Sequence, residues 1–178
     1  MKLVNKKSIF LLLIISLVFV FFYNNIKSTD EFYNPDEPTE GINVKISISC
    51  HTVLDNYSKL SEELKQGNYI PENGIILDET PLFINNGDTV LDALIAVTTQ
   101  NEIPLEYSQS NNDTYVEGIN YLYEFSCGEL SGWMYKVNGE FATKGCNSYI
   151  LKDNDTIEWV YTCDLGDDVG EGVFSEVY

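Results

Sequence analysis

The chain contains no arginine, a single histidine and only ten lysines in 178 residues, against 28 acidic residues, so its formal net charge is −18. Lys2, Lys6, Lys7 and Lys27 precede the first acidic residue, Asp30, which leaves the rest of the chain still more acidic. Such a body repels phosphate backbones and has no basic patch for anionic lipid headgroups. The composition therefore argues against DNA or RNA binding.

Signatures of catalysis and of metal binding are also lacking. His51 is the single histidine, so a catalytic triad or a Cys–His pair has only one base available. The chain has no P-loop, no G-x-G-x-x-G and no H-E-x-x-H motif, and no C-x₂-C pair of the kind that binds zinc. We predict that the protein is not an enzyme and has no catalytic or metal-binding residues.

Apolar residues make up 44% of the chain and aromatic residues 13%, too many for intrinsic disorder. An uncharged run, residues 8–23, follows three lysines within residues 1–7 and would span about 24 Å as a helix. We predict an uncleaved signal anchor, with residues 1–7 in the cytoplasm and the rest of the chain outside the cell membrane. The alternatives are a cleaved, secreted product, although no pair of small residues marks a cleavage site, and a buried core helix.

Residues 24–41 are predicted to form an extended acidic stalk. Pro35 and Pro38 interrupt helices, and the five acidic residues of this segment repel one another. The stalk would hold the folded part of the chain away from the lipid surface.

The first half of the folded part shows one strand pattern and one helix pattern. Residues 43–53 alternate, with Val44, Ile46, Ile48 and Cys50 on one face, as in a half-buried strand. Short extended pieces are predicted at residues 75–77 and 81–84, and one or two helical turns at 61–65. An amphipathic helix is predicted from an N-cap at Asp88 to Asn101, before Pro104.

The second half is rich in short β-strands. Residues 133–137 form a strand that leads into Asn138-Gly139, a strong hairpin signal, and residues 156–162 form the last strand. The acidic segment 164–178 is predicted to be loose. The fold class is α+β: a β-grasp-like domain with a mostly antiparallel sheet of about five strands and one helix. Three further strand candidates are residues 105–107, 115–119 and 121–125.

Three sequence motifs point to a known family. They are residues 123–139 (YEFSCGELSGWMYKVNG), 145–149 (GCNSY) and 157–166 (IEWVYTCDLG). These motifs resemble the transcobalamin-like C-terminal domain, the DUF4430 family, over about residues 42–168, which leaves 169–178 as a flexible tail. The resemblance implies a surface protein of Gram-positive bacteria, and a domain that vertebrate relatives use as the smaller half of a clamp around cobalamin.

The four cysteines, all predicted to lie outside the membrane, favour disulfide bonds over free thiols or a metal site. The residues alone allow three pairings. The resemblance implies that the first and last strands are parallel neighbours, which would pair Cys50 with Cys163 and leave Cys127 with Cys146. Each bond would stabilise the fold by about 2–4 kcal/mol.

Aromatic side chains crowd the strands of the second half, and core packing is the simplest explanation for them. Both faces of residues 133–137 carry large side chains, so one face should stay partly exposed and could stack on a flat ligand. The resemblance places this strand and the loop before it at the ligand-facing edge. The predicted ligand-binding residues are Tyr121, Ser131, Gly132, Trp133, Tyr135 and Asn138.

These observations predict a membrane-anchored extracellular module that binds a small molecule without chemical change. The resemblance makes cobalamin or another corrinoid the leading ligand, which the module could pass to a transporter; no cofactor is expected. The alternative is a protein- or glycan-interaction module of the cell envelope with no small ligand.

Overall fold

We describe a computed structural model of the chain, which defines residues 41–67, 69–110 and 113–170. The predicted cytoplasmic N-terminus, the signal anchor and residues 24–40 of the predicted stalk lie outside these ranges, as do residues 171–178 of the predicted tail. Across the three described ranges, no helix is both long enough and apolar enough to cross a bilayer.

The central element of the fold is a five-stranded sheet with the order β2-β1-β8-β6-β7. Strand β1 pairs in parallel with β8 and antiparallel with β2, while β6 is antiparallel to both β8 and β7. The first and last strands are therefore adjacent and parallel, as the family resemblance implied. The strands are β1 (Gly41–Ser49), β2 (Ile75–Asn85), β6 (Gly132–Val137), β7 (Glu140–Phe141) and β8 (Thr156–Thr162).

A second, three-stranded antiparallel sheet contains β3 (Leu105–Ser110), β4 (Asp113–Ile119) and β5 (Leu122–Tyr123) in that order. The strand predicted at 121–125 is thus only two residues long. It is short because Tyr121 and Phe125 both take positive φ angles, of 65° and 62°, which no regular strand allows.

Within the described residues, three α-helices accompany the sheets: α1 (His51–Asp55), α2 (Glu62–Gly67) and α3 (Val90–Gln100). The α+β class is confirmed, but eight strands in two sheets replace the predicted single sheet of about five. The two extended pieces predicted between residues 75 and 84 belong to one strand, β2, whose pairing with β1 is interrupted by register shifts.

Alternation in β1 produces the predicted buried face. Val44, Ile46 and Ile48 are buried, and so is Cys50, which follows the strand. The strand ends four residues earlier than predicted because His51 begins α1. These side chains pack in one hydrophobic core with residues of α3 and of β8.

Strands β6 and β8 contribute large aromatic side chains to the same core. Ile157, Trp159 and Tyr161 share the inner face of β8 and are buried. On β6, Trp133 is buried, its ring lies edge-on to Tyr161 at 5.1 Å, and its indole N–H donates to Leu122 O at 2.8 Å. The indole N–H of Trp159 has no hydrogen-bond partner among the described residues.

The N-cap of α3 is Thr89 rather than the predicted Asp88. The Thr89 hydroxyl accepts from the Asp92 backbone N–H, and the Asp92 carboxylate accepts from the Thr89 backbone N–H at 2.8 Å, which completes a capping box. The Asp88 carboxylate instead accepts from the Asn85 N–H at 2.9 Å and stabilises the turn before the helix.

The predicted hairpin turn is confirmed. Asn138 and Gly139 take φ angles of 55° and 82°, and the flanking pairs are Val137 with Glu140 and Lys136 with Phe141. Both central residues are left-handed, as a two-residue hairpin of this type requires.

The segment that follows β8 is folded, although the sequence predicted a loose tail from residue 164. The Asp168 carboxylate accepts from the backbone N–H of Cys163 at 2.8 Å and from the Thr162 hydroxyl. Residues Asp167–Val169 form a 3₁₀ turn. The acidic side chain therefore satisfies backbone donors at the end of the sheet, a role that acidic composition alone does not reveal.

We expect Thr89→Ala to lower the free energy of unfolding by about 1 kcal/mol, because it removes one half of the capping box. Thr99→Ala, the same change in the interior of α3, is the matched control and should have little effect because alanine favours helix. Denaturant unfolding of both variants measures the difference. Equal losses would show that the cap contributes nothing specific.

We expect Trp133→Phe to destabilise the fold by about 1–3 kcal/mol more than Trp159→Phe. Both changes shrink a buried indole to a phenyl ring, but only the first removes a hydrogen bond and leaves the buried Leu122 carbonyl without its donor. Urea midpoints of the two variants test this. A larger loss for Trp159→Phe would contradict it.

Candidate functional site

The loop between β5 and β6 is fixed by its own hydrogen bonds. The Phe125 N–H donates to Ser131 O at 2.9 Å, and the Ser131 N–H donates to Gly128 O at 3.1 Å. The buried Ser131 hydroxyl accepts from the Cys127 N–H at 3.0 Å and donates to Gly128 O at 2.8 Å. Residues 125–131, which we call the first wall, therefore have little freedom to rearrange.

A second loop, residues 163–169, lies against the first wall and is called the second wall here. Its Leu165 N–H donates to Leu130 O at 2.9 Å, which joins the two loops directly. The Thr162 hydroxyl accepts from the Gly166 N–H at 2.8 Å and from the Asp164 N–H at 3.0 Å. The end of β8 thus determines the path of this loop.

Between the two walls lies a cavity of about 350 Å³, within the usual size range of small-molecule sites. Its floor is the start of β6, where Gly132, Trp133 and Met134 line it. Its sides come from Tyr115 of β4, from Phe125 and Leu130 of the first wall and from Leu165 of the second, with Glu129, Ser131 and Thr162 completing the lining.

The rim of this cavity exposes large apolar side chains to solvent. Phe125 is 62% exposed, Leu165 49%, Tyr115 47% and Leu130 45%. Single exposed apolar residues are common on protein surfaces and do not indicate a function. Four that surround one concave surface are typical of a binding site. The arrangement can remove an apolar ligand surface from water.

Among the described residues that line the cavity, the one charged side chain is acidic. Glu129 lines it, and the Tyr115 hydroxyl donates to Glu124. Burial and this hydrogen bond raise the pKa of Tyr115 to about 12, so the hydroxyl stays neutral at pH 7. The site therefore suits a neutral or cationic group better than an anion.

The structure brings together three of the six predicted ligand-binding residues, namely Ser131, Gly132 and Trp133. Ser131 and Trp133 are buried and hydrogen-bonded within the protein, so they support the cavity rather than project into it. Gly132 lies at the floor, where an added methyl group would meet the Tyr115 hydroxyl at 3.5 Å, an ordinary contact.

The other three predicted residues lie elsewhere. Tyr135 donates to Lys144 O at 2.6 Å and packs on Trp159. The Asn138 side chain accepts from the Thr156 N–H and donates to Asp155, which fixes the hairpin turn.

Tyr121, in the turn between β4 and β5, stacks on Tyr69 with 4.6 Å between ring centroids and lines a different cavity. The sequence reasoning missed Leu130 and Leu165, whose signal was an apolar side chain within a loop. It also missed Phe125 and Tyr115, which belonged to strand candidates.

All four cysteines are buried. Desolvation raises the pKa of Cys50 to about 12, and desolvation, together with the neighbouring Cys127, raises the pKa of Cys163 to about 12. The Cys146 thiol lies 3.7 Å from Thr114 O. The described residues contain no group of three or more His, Cys, Asp or Glu side chains placed to hold a metal ion.

Comparisons with known proteins agree on the type of domain. Residues 87–163 match a family model described as "Domain of unknown function (DUF4430)", and no curated protein matches the chain. A crystal structure of haptocorrin in complex with Cbi superposes with a TM-score of 0.52 at 16% identity, and covers 75% of this chain but only 27% of haptocorrin.

A crystal structure of a putative metal binding protein from Ruminococcus gnavus ATCC 29149 is similar at 9% identity and a TM-score of 0.40, and covers 68% of this chain and 96% of that one. At such low identities only the haptocorrin superposition carries weight, and it concerns the fold alone. The matched segment confirms the resemblance that the motifs indicated, over residues 87–163, and the superposition shows that the fold is similar to that of the matching part of haptocorrin.

Proposed function

We propose that this domain captures a small, largely apolar ligand in the cavity between the first and second walls, and that it releases the ligand unchanged. The observation that carries the proposal is the ring of exposed apolar side chains around a preformed concave surface. No convergent set of a nucleophile, a base and an oxyanion donor is found among the described residues that line this cavity, so binding, not catalysis, is the activity proposed.

Apolar burial supplies the affinity. Covering one exposed phenylalanine or leucine side chain is worth about 1.5–3 kcal/mol at most, and three such side chains, together with Tyr115, surround the cavity. The hydrogen bonds within and between the walls hold these side chains in place before the ligand arrives. Less ordering entropy therefore opposes binding.

A corrinoid is the leading ligand. The fold is shared with haptocorrin, whose structure contains Cbi, and the motifs led to the same family. The chain spans 27% of haptocorrin, and a corrin ring is larger than a cavity of about 350 Å³. The site would therefore hold one edge of a corrinoid and leave the remainder for a second partner, such as a transporter.

The proposal places the domain outside the cell. Residues 8–23 would tether it to the membrane and residues 24–40 would hold it above the lipid surface, a placement that depends on sequence pattern alone. Separation of cell membranes from medium and cytosol, followed by detection of the intact chain, tests this placement. Detection in the cytosol would contradict it.

We expect Phe125→Ala or Leu165→Ala to weaken cobalamin binding by about tenfold, since each removes an exposed apolar contact at the rim. Phe83→Ala is the matched control, because Phe83 is similarly exposed, at 54%, but lies on β2 and does not line the cavity. Absorbance and tryptophan-fluorescence titrations of the full chain measure the affinities.

Equal effects of Phe83→Ala and Phe125→Ala would contradict the assignment of the site. If the full chain gives no spectral change at high micromolar cobalamin, the proposal that the ligand is a corrinoid is wrong. An envelope protein or glycan then becomes the ligand to test, because the same exposed rim would suit an interaction surface.

We expect Gly132→Ala to weaken binding without unfolding the domain. The new methyl group would occupy the cavity floor at 3.5 Å from the Tyr115 hydroxyl, a normal contact distance, and a strand tolerates alanine better than glycine. An unchanged unfolding midpoint together with a reduced affinity for cobalamin supports a ligand that reaches the floor. Unchanged affinity would show that the ligand touches only the rim.

A further inference from the structure

Each of the two walls contains one cysteine. Cys127 lies within the first wall, and Cys163 begins the second, directly after β8. Both are buried, and 35 residues of chain lie between them. Only tertiary folding brings them together, which is why no spacing rule in the sequence pairs them.

The two thiols lie beside the same short stretch of chain. The Cys163 sulfur lies 3.7 Å from the Thr52 hydroxyl of α1, and the Asn56 side chain donates to Thr52 O at 2.9 Å. The Cys127 sulfur lies 3.5 Å from Asn56 O, just after the same helix. Both sulfurs therefore occupy one small space between α1 and the ends of the two walls.

The other two cysteines are placed differently. In the parallel pairing of β1 with β8, Ser49 lies opposite Val160, so Cys50 comes level with Tyr161, two residues before Cys163. The Cys146 thiol lies against Thr114 of β4. The observed neighbour of the Cys163 sulfur is therefore Thr52, in the helix that follows β1, and not Cys50.

We propose that Cys127 and Cys163 form a disulfide bond that joins the two walls of the cavity when the domain meets a disulfide oxidant. In the reaction, one thiol loses its proton and attacks the oxidant, and the second thiol loses its proton and displaces the reduced half. The protein gains one S–S bond, and the oxidant is reduced to two thiols. This pairing replaces the one that the family resemblance implied.

The bond would act on the cavity because the walls already touch. The hydrogen bond from the Leu165 N–H to Leu130 O joins them near the rim, and a Cys127–Cys163 bond would join them at the base. Two links at different depths would stop the loops from separating, which would preserve the cavity during ligand exchange. This consequence depends on the proposed function, whereas the bond itself does not.

Burial controls how the bond forms. The raised pKa of the Cys163 thiol keeps its reactive thiolate scarce at neutral pH, so we expect exchange in the folded domain to be slow, and faster at higher pH. We expect the bond to form mainly during folding and, once formed, to resist soluble reductants.

The test is a peptide map of the full chain in detergent. The protein is unfolded, refolded with oxidised glutathione as the disulfide oxidant or with dithiothreitol as the reduced control, and alkylated under denaturing conditions before digestion. Mass spectrometry should find a linked pair of peptides containing Cys127 and Cys163, lighter than the two thiol peptides by two hydrogen atoms, with Cys50 and Cys146 alkylated. A Cys50–Cys163 or Cys127–Cys146 linkage, or alkylation of all four residues, would overturn the proposal.

Thermal unfolding gives a second measurement. Oxidised protein should melt on the order of 10 °C higher than reduced protein. Cys127→Ser should abolish this gain, whereas Cys146→Ser, the matched control at another buried cysteine, should keep it. A gain that survives Cys127→Ser would contradict the pairing, and if that variant does not fold, the peptide map of the natural sequence decides. Because neither measurement uses a ligand, failure here is distinct from failure of the cobalamin titration.

Discussion

The hydroxyl group of Tyr161 is the contact on which the candidate site most depends. Tyr161 is 1% exposed in the middle of the core, and its oxygen lies 2.6 Å from Tyr123 O and 2.9 Å from the Ser131 hydroxyl. Burial raises its pKa, so it remains a neutral donor. Through Ser131 the hydroxyl reaches Cys127 and Gly128 and so fixes the first wall to the central strand. A loop anchored in this way to the most buried part of the sheet keeps its shape without a bound ligand.

The same strand supports the second wall. Beyond Tyr161, the Thr162 hydroxyl receives two backbone N–H groups of the following loop, and Asp168 returns to accept from Cys163. Strand β8 lies between β1 and β6, where both of its edges are hydrogen-bonded. Both walls are therefore attached to the central strand of the sheet. This attachment limits how far the walls can move relative to each other. This is why a domain with short helices and long loops can present a defined concave surface.

Much of the fold could be predicted from the sequence because its signals are local. Alternation identified β1 and β8, and the Asn138-Gly139 pair identified the hairpin, since these patterns depend on neighbours along the chain. The cavity could not be predicted because its residues come from β4, from the loop before β6 and from the segment after β8. The sequence predicted Trp133 as a ligand-binding residue because it is aromatic, but Trp133 is buried. The exposed aromatic side chain at the cavity is Phe125, whose positive φ excludes it from a regular strand. The acidic residues after Leu165 suggested a loose tail. Composition alone could not show that the Asp168 carboxylate accepts a hydrogen bond from the Cys163 backbone N–H and so holds this segment in place.

The high negative charge of the chain has a limited influence on what the site selects. At physiological ionic strength, charges separated by more than about 8 Å are largely screened, so the distant acidic residues repel an anion only weakly once it reaches the surface. Glu124 and Glu129 act at close range, and the partly buried Tyr115 hydroxyl already occupies Glu124. The shape of the cavity and its apolar contacts would therefore decide which ligands bind, and the nearby carboxylates would disfavour negatively charged groups. Under the proposed function, a ligand that is anionic at one end would enter with its neutral edge first.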